Sequence, residues 1–244
     1  MIERIRYGAH PAQFADLHRP AGDSRGVVVV IHGGFWRAAY DLGLGEPLAR
    51  SLAEEGWTAW NLEYRRVGNG GGAPATVDDV AAGIDALADV ADLDLGTVVT
   101  LGHSAGGHLA VWAATRGRHP AWQPVRVPVT GVIAQAGVLD LRRARADRLG
   151  DGAVDAFLGG PTGDDDRLDP ARQLPLGVPV WCVHGREDDI VPLSQSAEFA
   201  ARAQAAGGTA ELVEVEGDHF VVIDPGTEAW RRTLRVLDGL ADGR

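Results

Sequence analysis

The chain has 244 residues and a formal net charge of −11, and 45% of its residues are hydrophobic. This length suits one α/β domain with a sizeable core, and the acidic balance argues against nucleic acid or an anionic membrane as a partner. All 23 basic residues are arginine, which excludes Schiff-base chemistry and a P-loop lysine, and the single cysteine, Cys182, excludes an intrachain disulfide.

Strand and helix signals alternate along the chain. The run VVVVI at 27–31 has no polar break, which is typical of a strand buried on both faces of a parallel sheet. Further strands are predicted at 57–62, 98–101, 129–136, 178–183 and 210–215. Helical patterns lie between the strands, at about 41–55, 76–91, 105–116, 194–206 and 226–240. This order predicts one α/β domain over residues 1–244, with a mostly parallel sheet and helices on both faces.

Two stretches interrupt this alternation. Residues 67–74, VGNGGGAP, form a glycine-rich loop without the G-x-G-x-x-G pattern that opens a phosphate-binding helix, so phosphate binding is not expected. Residues 140–175 are polar and broken by glycine and proline. We interpret them as a short insertion over the edge of the sheet at which the parallel strands end, where ligands bind in such sheets.

Ser104 lies in the pattern G-x-S-x-G, after the strand signal at 98–101 and before the helix signal at 105–116. A tight strand–turn–helix of this kind is the context of a nucleophile elbow, which raises the serine above the sheet. The alternative is a serine that only caps the helix. A serine hydroxyl becomes a nucleophile only with a base beside it.

Among the eight histidines, His219 is the best candidate for that base, because it follows the last strand signal and would lie at the same sheet edge. Strand alternation predicts that His103 points away, and His108 is expected to pack or lie at the surface. The base needs a carboxylate that fixes its tautomer. The acidic turn in HGREDDIVP offers candidates, of which we choose Asp188, with Asp189 as the alternative.

The sequence HGGFW follows the predicted strand at 27–31 directly. Glycines at such a turn allow backbone N–H groups to face a reacting carbonyl. We therefore predict an oxyanion hole made by the N–H groups of Gly34, Phe35 and Ala105, the last at the start of the helix after the serine.

Together, HGGFW, GHSAGG, HGREDDIVP and GDHF resemble the α/β-hydrolase fold, in the esterase branch that includes kynurenine formamidases and small bacterial carboxylesterases. The resemblance extends from about residue 25 to the C-terminus. It implies that Ser104 is the nucleophile, Asp188 the acid and His219 the base, with neither a metal nor an organic cofactor. Phe35 stands where the lipase pattern H-G-G-G has its last glycine, and the formamidase branch is similar in having an aromatic residue and tryptophan there.

The resemblance implies a serine hydrolase that cleaves small-acyl carboxylic esters or aryl formamides through an acyl-enzyme. A general short-chain carboxylesterase is the alternative. An inactive binding protein on the same fold is a third interpretation, but all three triad positions are filled. Dehalogenases and epoxide hydrolases carry aspartate at the elbow, where this chain has Ser104.

Four aromatic residues near these motifs are predicted to bind substrate: Phe35, Trp36, Tyr40 and Phe220. Aromatic side chains around an acyl site favour a flat ring near the scissile bond. The alternative for Trp36 and Phe220 is burial in the core.

The expected partner is a small-molecule ester or amide, with neither nucleic acid nor a membrane. The assembly is left open between a monomer and a homodimer. The amino-terminal MIERIRYGAH carries charges throughout and has no apolar segment typical of a signal peptide, so we expect a cytoplasmic protein.

Overall fold

A computed structural model of the protein describes residues 2–163 and 165–242. Eight strands form one sheet in the order β1-β2-β4-β3-β5-β6-β7-β8. The strands are β1 (Ile2–Arg6), β2 (Phe14–His18), β3 (Val27–Ile31), β4 (Thr58–Leu62), β5 (Val98–His103), β6 (Gly131–Gln135), β7 (Val180–Gly185) and β8 (Ala210–Val215). The helices are α1 (Glu46–Glu54), α2 (Ala75–Asp85), α3 (Ala105–Thr115), α4 (Leu141–Ala146), α5 (Ala153–Phe157), α6 (Ser194–Ala205) and α7 (Glu228–Asp242).

Strands β3 to β8 pair in parallel, as the alternation of strand and helix signals predicts. The sequence did not predict β1 and β2, which pair with each other and with β4 in antiparallel fashion. β1 reads IERIR and lies largely exposed, so it lacks the apolar run by which the other strands are recognised.

The core lies on both faces of the sheet. Within β3, Val27, Val29 and Ile31 pack on one face and Val28 and Val30 on the other, as the two-residue period of a strand requires. Helices α2, α3 and α6 cover the first face, and α1 and α7 cover the second. The unbroken VVVVI run is therefore the signature of a strand with an apolar layer on each side.

The loops that carry the predicted site all leave the carboxyl ends of parallel strands. The HGGFW loop follows β3, Ser104 follows β5, Asp188 follows β7 and His219 follows β8. Since β3, β5, β6, β7 and β8 are neighbours in the sheet, these loops share one edge.

The insertion at 140–175 contains α4, α5 and two short 3₁₀ turns, and its residue Asp164 lies outside the described part of the chain. Its composition is polar, yet Leu141, Phe157 and Leu168 are buried in the core layer on the α3 side. The insertion is therefore packed into the domain as well as bordering the site. In the described ranges no helix is long and apolar enough to cross a membrane.

Candidate active site

Ser104 occupies a strained turn between β5 and α3. Its φ is 55° and its ψ is −118°, in a region that residues with a side chain rarely adopt. The turn is held by hydrogen bonds from the Ser104 N–H to the Gln135 carbonyl (2.8 Å) and from the Val138 N–H to the Ser104 carbonyl (3.2 Å). This is the geometry of a nucleophile elbow.

The two glycines of the G-x-S-x-G pattern are required by close backbone contacts. A Cβ atom on Gly102 would lie 2.1 Å from the Gly106 carbonyl oxygen, and one on Gly106 would lie 2.0 Å from the Ile31 carbonyl oxygen. No side chain fits at such distances, so the backbones of α3, β5 and β3 approach each other directly at these two positions. The turn at Ser104 depends on that packing.

Asp188 and His219 are hydrogen bonded to each other. The His219 Nδ1–H donates to Asp188 Oδ2 at 2.7 Å, while Asp188 Oδ1 accepts the N–H groups of Ile190 and Val191. Burial raises the pKa of Asp188, but hydrogen bonds from His184, His219 and the Val191 N–H outweigh it and hold that pKa well below its ordinary value. The carboxylate is ionised at neutral pH and fixes the tautomer that leaves His219 Nε2 available as a base.

The alternative acid, Asp189, is exposed. Asp188, by contrast, has a fully buried side chain, and a second imidazole supports it: His184 Nε2 lies 3.1 Å from Asp188 Oδ2. The Ser196 hydroxyl bonds the other ring nitrogen of His184 at 2.8 Å. His184 was not among the predicted site residues, although its spacing in H-G-R-E-D, four residues before Asp188, is a signal that could have identified it.

His103 lies between His219 and the turn at Ser104. Its Nε2–H donates to the His219 carbonyl at 2.9 Å, and the two imidazole centroids are 4.5 Å apart. The prediction that His103 points away was wrong, because strand alternation ends where the chain turns at Ser104. His219 therefore lies against the residue that directly precedes Ser104.

The HGGFW loop packs against the turn at Ser104. A Cβ atom on Gly33 would be 3.1 Å from the Cβ of Ser104, so only glycine allows this approach. The next three residues, Gly34, Phe35 and Trp36, all have positive φ values of 104°, 51° and 54°. Among the described residues, no hydrogen bond uses the N–H groups of Gly34, Phe35 or Ala105. These three donors are free to bind a ligand oxygen.

The BD-FAE family model matches residues 15–203, which is most of the chain. The chain belongs to the BD-FAE family. This is an α/β-hydrolase esterase family, and the fold class predicted from the sequence is confirmed.

Two relatives of this BD-FAE protein are named as esterases. It is 25% identical over 239 residues to the probable isoprenylcysteine alpha-carbonyl methylesterase ICME of Oryza sativa subsp. japonica. It is 27% identical over 231 residues to esterase LipC of Mycobacterium tuberculosis. The matches cover 89% and 83% of this chain but 57% and 55% of those proteins, so the chain spans about half the length of these relatives.

Solved esterase structures share the fold along the whole chain. An inhibited form of esterase B from Lactobacillus rhamnosis has a TM-score of 0.86 at 25% identity, and the match covers 100% of this chain and 88% of that one. Propionate-bound esterase 2 from Thermogutta terrifontis has a TM-score of 0.79 at 25% identity, with 98% and 92% covered.

Two of the predicted substrate-binding residues of the BD-FAE protein are exposed beside this site. Tyr40 is 45% exposed and packs against the HGGFW loop, where a Cβ on Gly34 would be 2.4 Å from the Tyr40 Cβ. Phe220 is 51% exposed and meets the His219 ring edge to face at 5.3 Å. Both aromatic rings can therefore contact a ligand.

The other two predicted substrate residues are less accessible. Phe35 is half-buried, and its ring lies so close to Gly150 of the insertion that a Cβ there would be 2.4 Å away. Trp36 is only 1% exposed and stacks on Phe157 at 4.8 Å, so its prediction as a substrate contact was wrong. The positive φ values of the loop turn the Trp36 ring into the core. In the described part of the chain, no cluster of three or more His, Cys, Asp or Glu side chains is arranged to hold a metal ion.

Two buried histidines at the site are expected to make the protein sensitive to mild acid. Burial lowers the pKa of His103 to about 3 and that of His108 to about 4, from an ordinary value of 6.5. In the unfolded chain both rings bind a proton below about pH 6.5, whereas in the folded protein they stay neutral. Stability is therefore lost as pH falls from 6.5, by at most about 1.4 kcal/mol per pH unit for each ring.

Urea unfolding at pH 8.0, 6.5 and 5.0 measures this dependence. The free energy of unfolding should be nearly constant between the first two values and fall toward the third. In His103→Gln the fall should be shallower, since one of the two groups is gone. A free energy that is the same at pH 6.5 and 5.0 would contradict the expectation.

Proposed function

We propose that this BD-FAE protein is a serine hydrolase that cleaves small-acyl carboxylic esters through an acyl-enzyme. The proposal rests chiefly on the 2.7 Å hydrogen bond between Asp188 and His219. The loop that carries His219 lies against the strained turn at Ser104. A buried ionised carboxylate, an oriented imidazole and an elbow serine are the parts that acyl transfer requires.

The reaction would proceed in two matching halves. Ser104 Oγ attacks the carbonyl carbon while His219 Nε2 takes the hydroxyl proton, and the N–H groups of Gly34, Phe35 and Ala105 stabilise the negative oxygen. His219 then gives the proton to the leaving oxygen, which departs as an alcohol. In the second half, water loses a proton to His219 and attacks the acyl-enzyme, and His219 returns that proton to Ser104 Oγ as the bond to the acyl carbon breaks and the acid leaves.

The relatives favour esters as the substrate class. The names of both sequence relatives describe esterases, and the Thermogutta terrifontis enzyme was solved with propionate bound. A three-carbon acid fits the proposal of a small acyl group. The insertion at 140–175 contributes only short helices, and its apolar side chains are used in the core.

Aryl formamides are the second candidate. Tyr40, which packs against Gly34, and Phe220, which packs against the His219 ring, both present exposed rings. Aromatic contacts of this kind are worth about 0.5–1.5 kcal/mol, which is enough to favour an aryl leaving group by about two- to tenfold.

Steady-state kinetics on p-nitrophenyl esters from acetyl to palmitoyl test the acyl half of the proposal. We expect kcat/KM to be highest between acetyl and butyryl and to fall for longer chains. A value that keeps rising to palmitoyl would contradict the small-acyl proposal.

N-formyl-kynurenine tests the aryl formamide. Turnover comparable to that of the best ester would support the formamidase-like activity. If the protein hydrolyses esters well but does not hydrolyse N-formyl-kynurenine, the formamidase-like activity is excluded and a general short-chain carboxylesterase is the remaining interpretation. Each assay includes Ser104→Ala as its blank, which separates enzyme turnover from spontaneous hydrolysis.

A further inference from the structure

A buried cluster of three rings lies behind the HGGFW loop (residues 32–36), which we call the oxyanion loop because it carries two of the proposed oxyanion donors. Trp36 of the loop, His108 of α3 and Phe157 of the insertion are each at most 1% exposed. Trp36 stacks on Phe157 at 4.8 Å, and the edge of His108 meets both rings, at 5.2 and 5.4 Å. The cluster joins three segments that are far apart in sequence and meet only at the site.

The hydrogen bonds of His108 assign its tautomer. An indole nitrogen only donates, so Trp36 Nε1–H donates to His108 Nδ1, at 3.3 Å. The Nε2–H then donates to the Leu168 carbonyl at 2.8 Å. Burial lowers the pKa of His108 to about 4, which keeps the ring neutral and its Nδ1 lone pair available at neutral pH. Both ring nitrogens are satisfied only in this state.

The backbone of His108 is tied to the nucleophile. Its N–H donates to the Ser104 carbonyl at 3.2 Å, and it lies one turn into the helix that begins with Ala105. One residue therefore connects the nucleophile elbow through its main chain and the oxyanion loop through its ring. The loop carries two of the proposed oxyanion donors, Gly34 and Phe35, and the helix carries the third.

We propose that Trp36 and His108 are positioning residues that fix the spacing between the two halves of the oxyanion hole. This inference rests on the proposed function. Phe35 and Trp36 both hold positive φ values, which side-chain-bearing residues adopt only when the surroundings impose them. The indole–imidazole hydrogen bond and the ring stack supply that constraint. Without them, the loop can relax and move its N–H groups away from the developing negative charge.

Trp36→Phe tests the proposal because it keeps an aromatic ring on Phe157 and removes the N–H donor. Trp60→Phe is the matched control: Trp60 is fully buried, and its Nε1–H donates to the Gly83 carbonyl at 3.0 Å, on β4. Losing one oxyanion donor costs about 10²–10³ in kcat. In Trp36→Phe we expect the loop N–H donors to be misplaced, which should lower kcat by about 10- to 100-fold while KM stays within about threefold of the wild-type value.

The control should keep kcat within about twofold while losing a similar amount of stability in urea unfolding. Equal kcat losses in the two tryptophan variants would overturn the proposal, because that result would show a general packing defect. A wild-type protein without activity on any ester would instead contradict the proposed function itself.

His108→Phe provides a second variant if Trp36→Phe does not fold. Its control is His119→Phe, since His119 also meets a tryptophan edge to face (Trp122, 5.7 Å) and bonds a polar partner, but lies away from the site. The double variant Trp36→Phe/His108→Phe should be no slower than His108→Phe alone, since both remove one shared hydrogen bond. If the kcat loss of the double variant equalled the product of the two single losses, the two residues would act independently and the proposal would be overturned.

Discussion

Replacing Ser104 by alanine is expected to lower kcat/KM by at least about 10³-fold while leaving the protein folded. Without the hydroxyl there is no acyl-enzyme, and the remaining oxyanion donors and the base can act only on water. The turn at Ser104 is held by main-chain hydrogen bonds to Gln135 and Val138, so removing the hydroxyl should cost little stability. Ester hydrolysis, circular dichroism and urea unfolding measure the two effects separately.

Ser51→Ala is the control for a serine in a structural role. Ser51 lies on α1, on the other face of the sheet, where its hydroxyl accepts the Trp230 indole N–H at 2.9 Å. This variant should lose some stability and keep its activity. An alanine variant at 104 that retained more than about a tenth of the activity would rule out the serine mechanism.

Asp188→Asn is also expected to have a large effect and to lower kcat by about 10³- to 10⁴-fold. An amide cannot accept the His219 Nδ1–H as strongly and permits the other tautomer, in which Nε2 carries the proton and cannot act as a base. Stability should fall as well, because the amide nitrogen that replaces the buried Oδ2 cannot accept the hydrogen bond from His219.

Asp189→Asn is the matched control, with the same chemical change one residue along the chain. Asp189 is exposed, so its variant should keep nearly full activity. If Asp189→Asn were the impaired enzyme and Asp188→Asn the active one, the assignment of the acid would be off by one residue.

Sequence patterns predicted those parts of the molecule that are determined locally. Parallel strands such as β3 are continuous apolar runs, and the turn at Ser104 is encoded by Gly102 and Gly106, two residues to each side of it, which permit close packing. The rule that parallel strands end at a common edge placed the acidic turn after β7 beside His219, and the resemblance to α/β-hydrolases favoured Asp188 within that turn.

The parts that sequence did not predict depend on contacts between distant segments. β1 is recognised only by its pairing with β2, and α4 and α5, of six and five residues, are too short to show a helical period. The orientation of Trp36 depends on a loop with three successive positive φ values. The contacts of His103 with His219 and of His184 with Asp188 are likewise tertiary.

Mapping a covalent adduct is the most direct test of whether Ser104 is the nucleophile. The protein is treated with a p-nitrophenyl phosphonate, and the stoichiometry and position of the adduct are determined by mass spectrometry of the intact chain and its peptides. We expect one adduct per chain, on Ser104, formed in parallel with loss of ester hydrolysis and much more slowly in Asp188→Asn. An adduct on another residue, or full loss of activity with Ser104 unmodified, would contradict it.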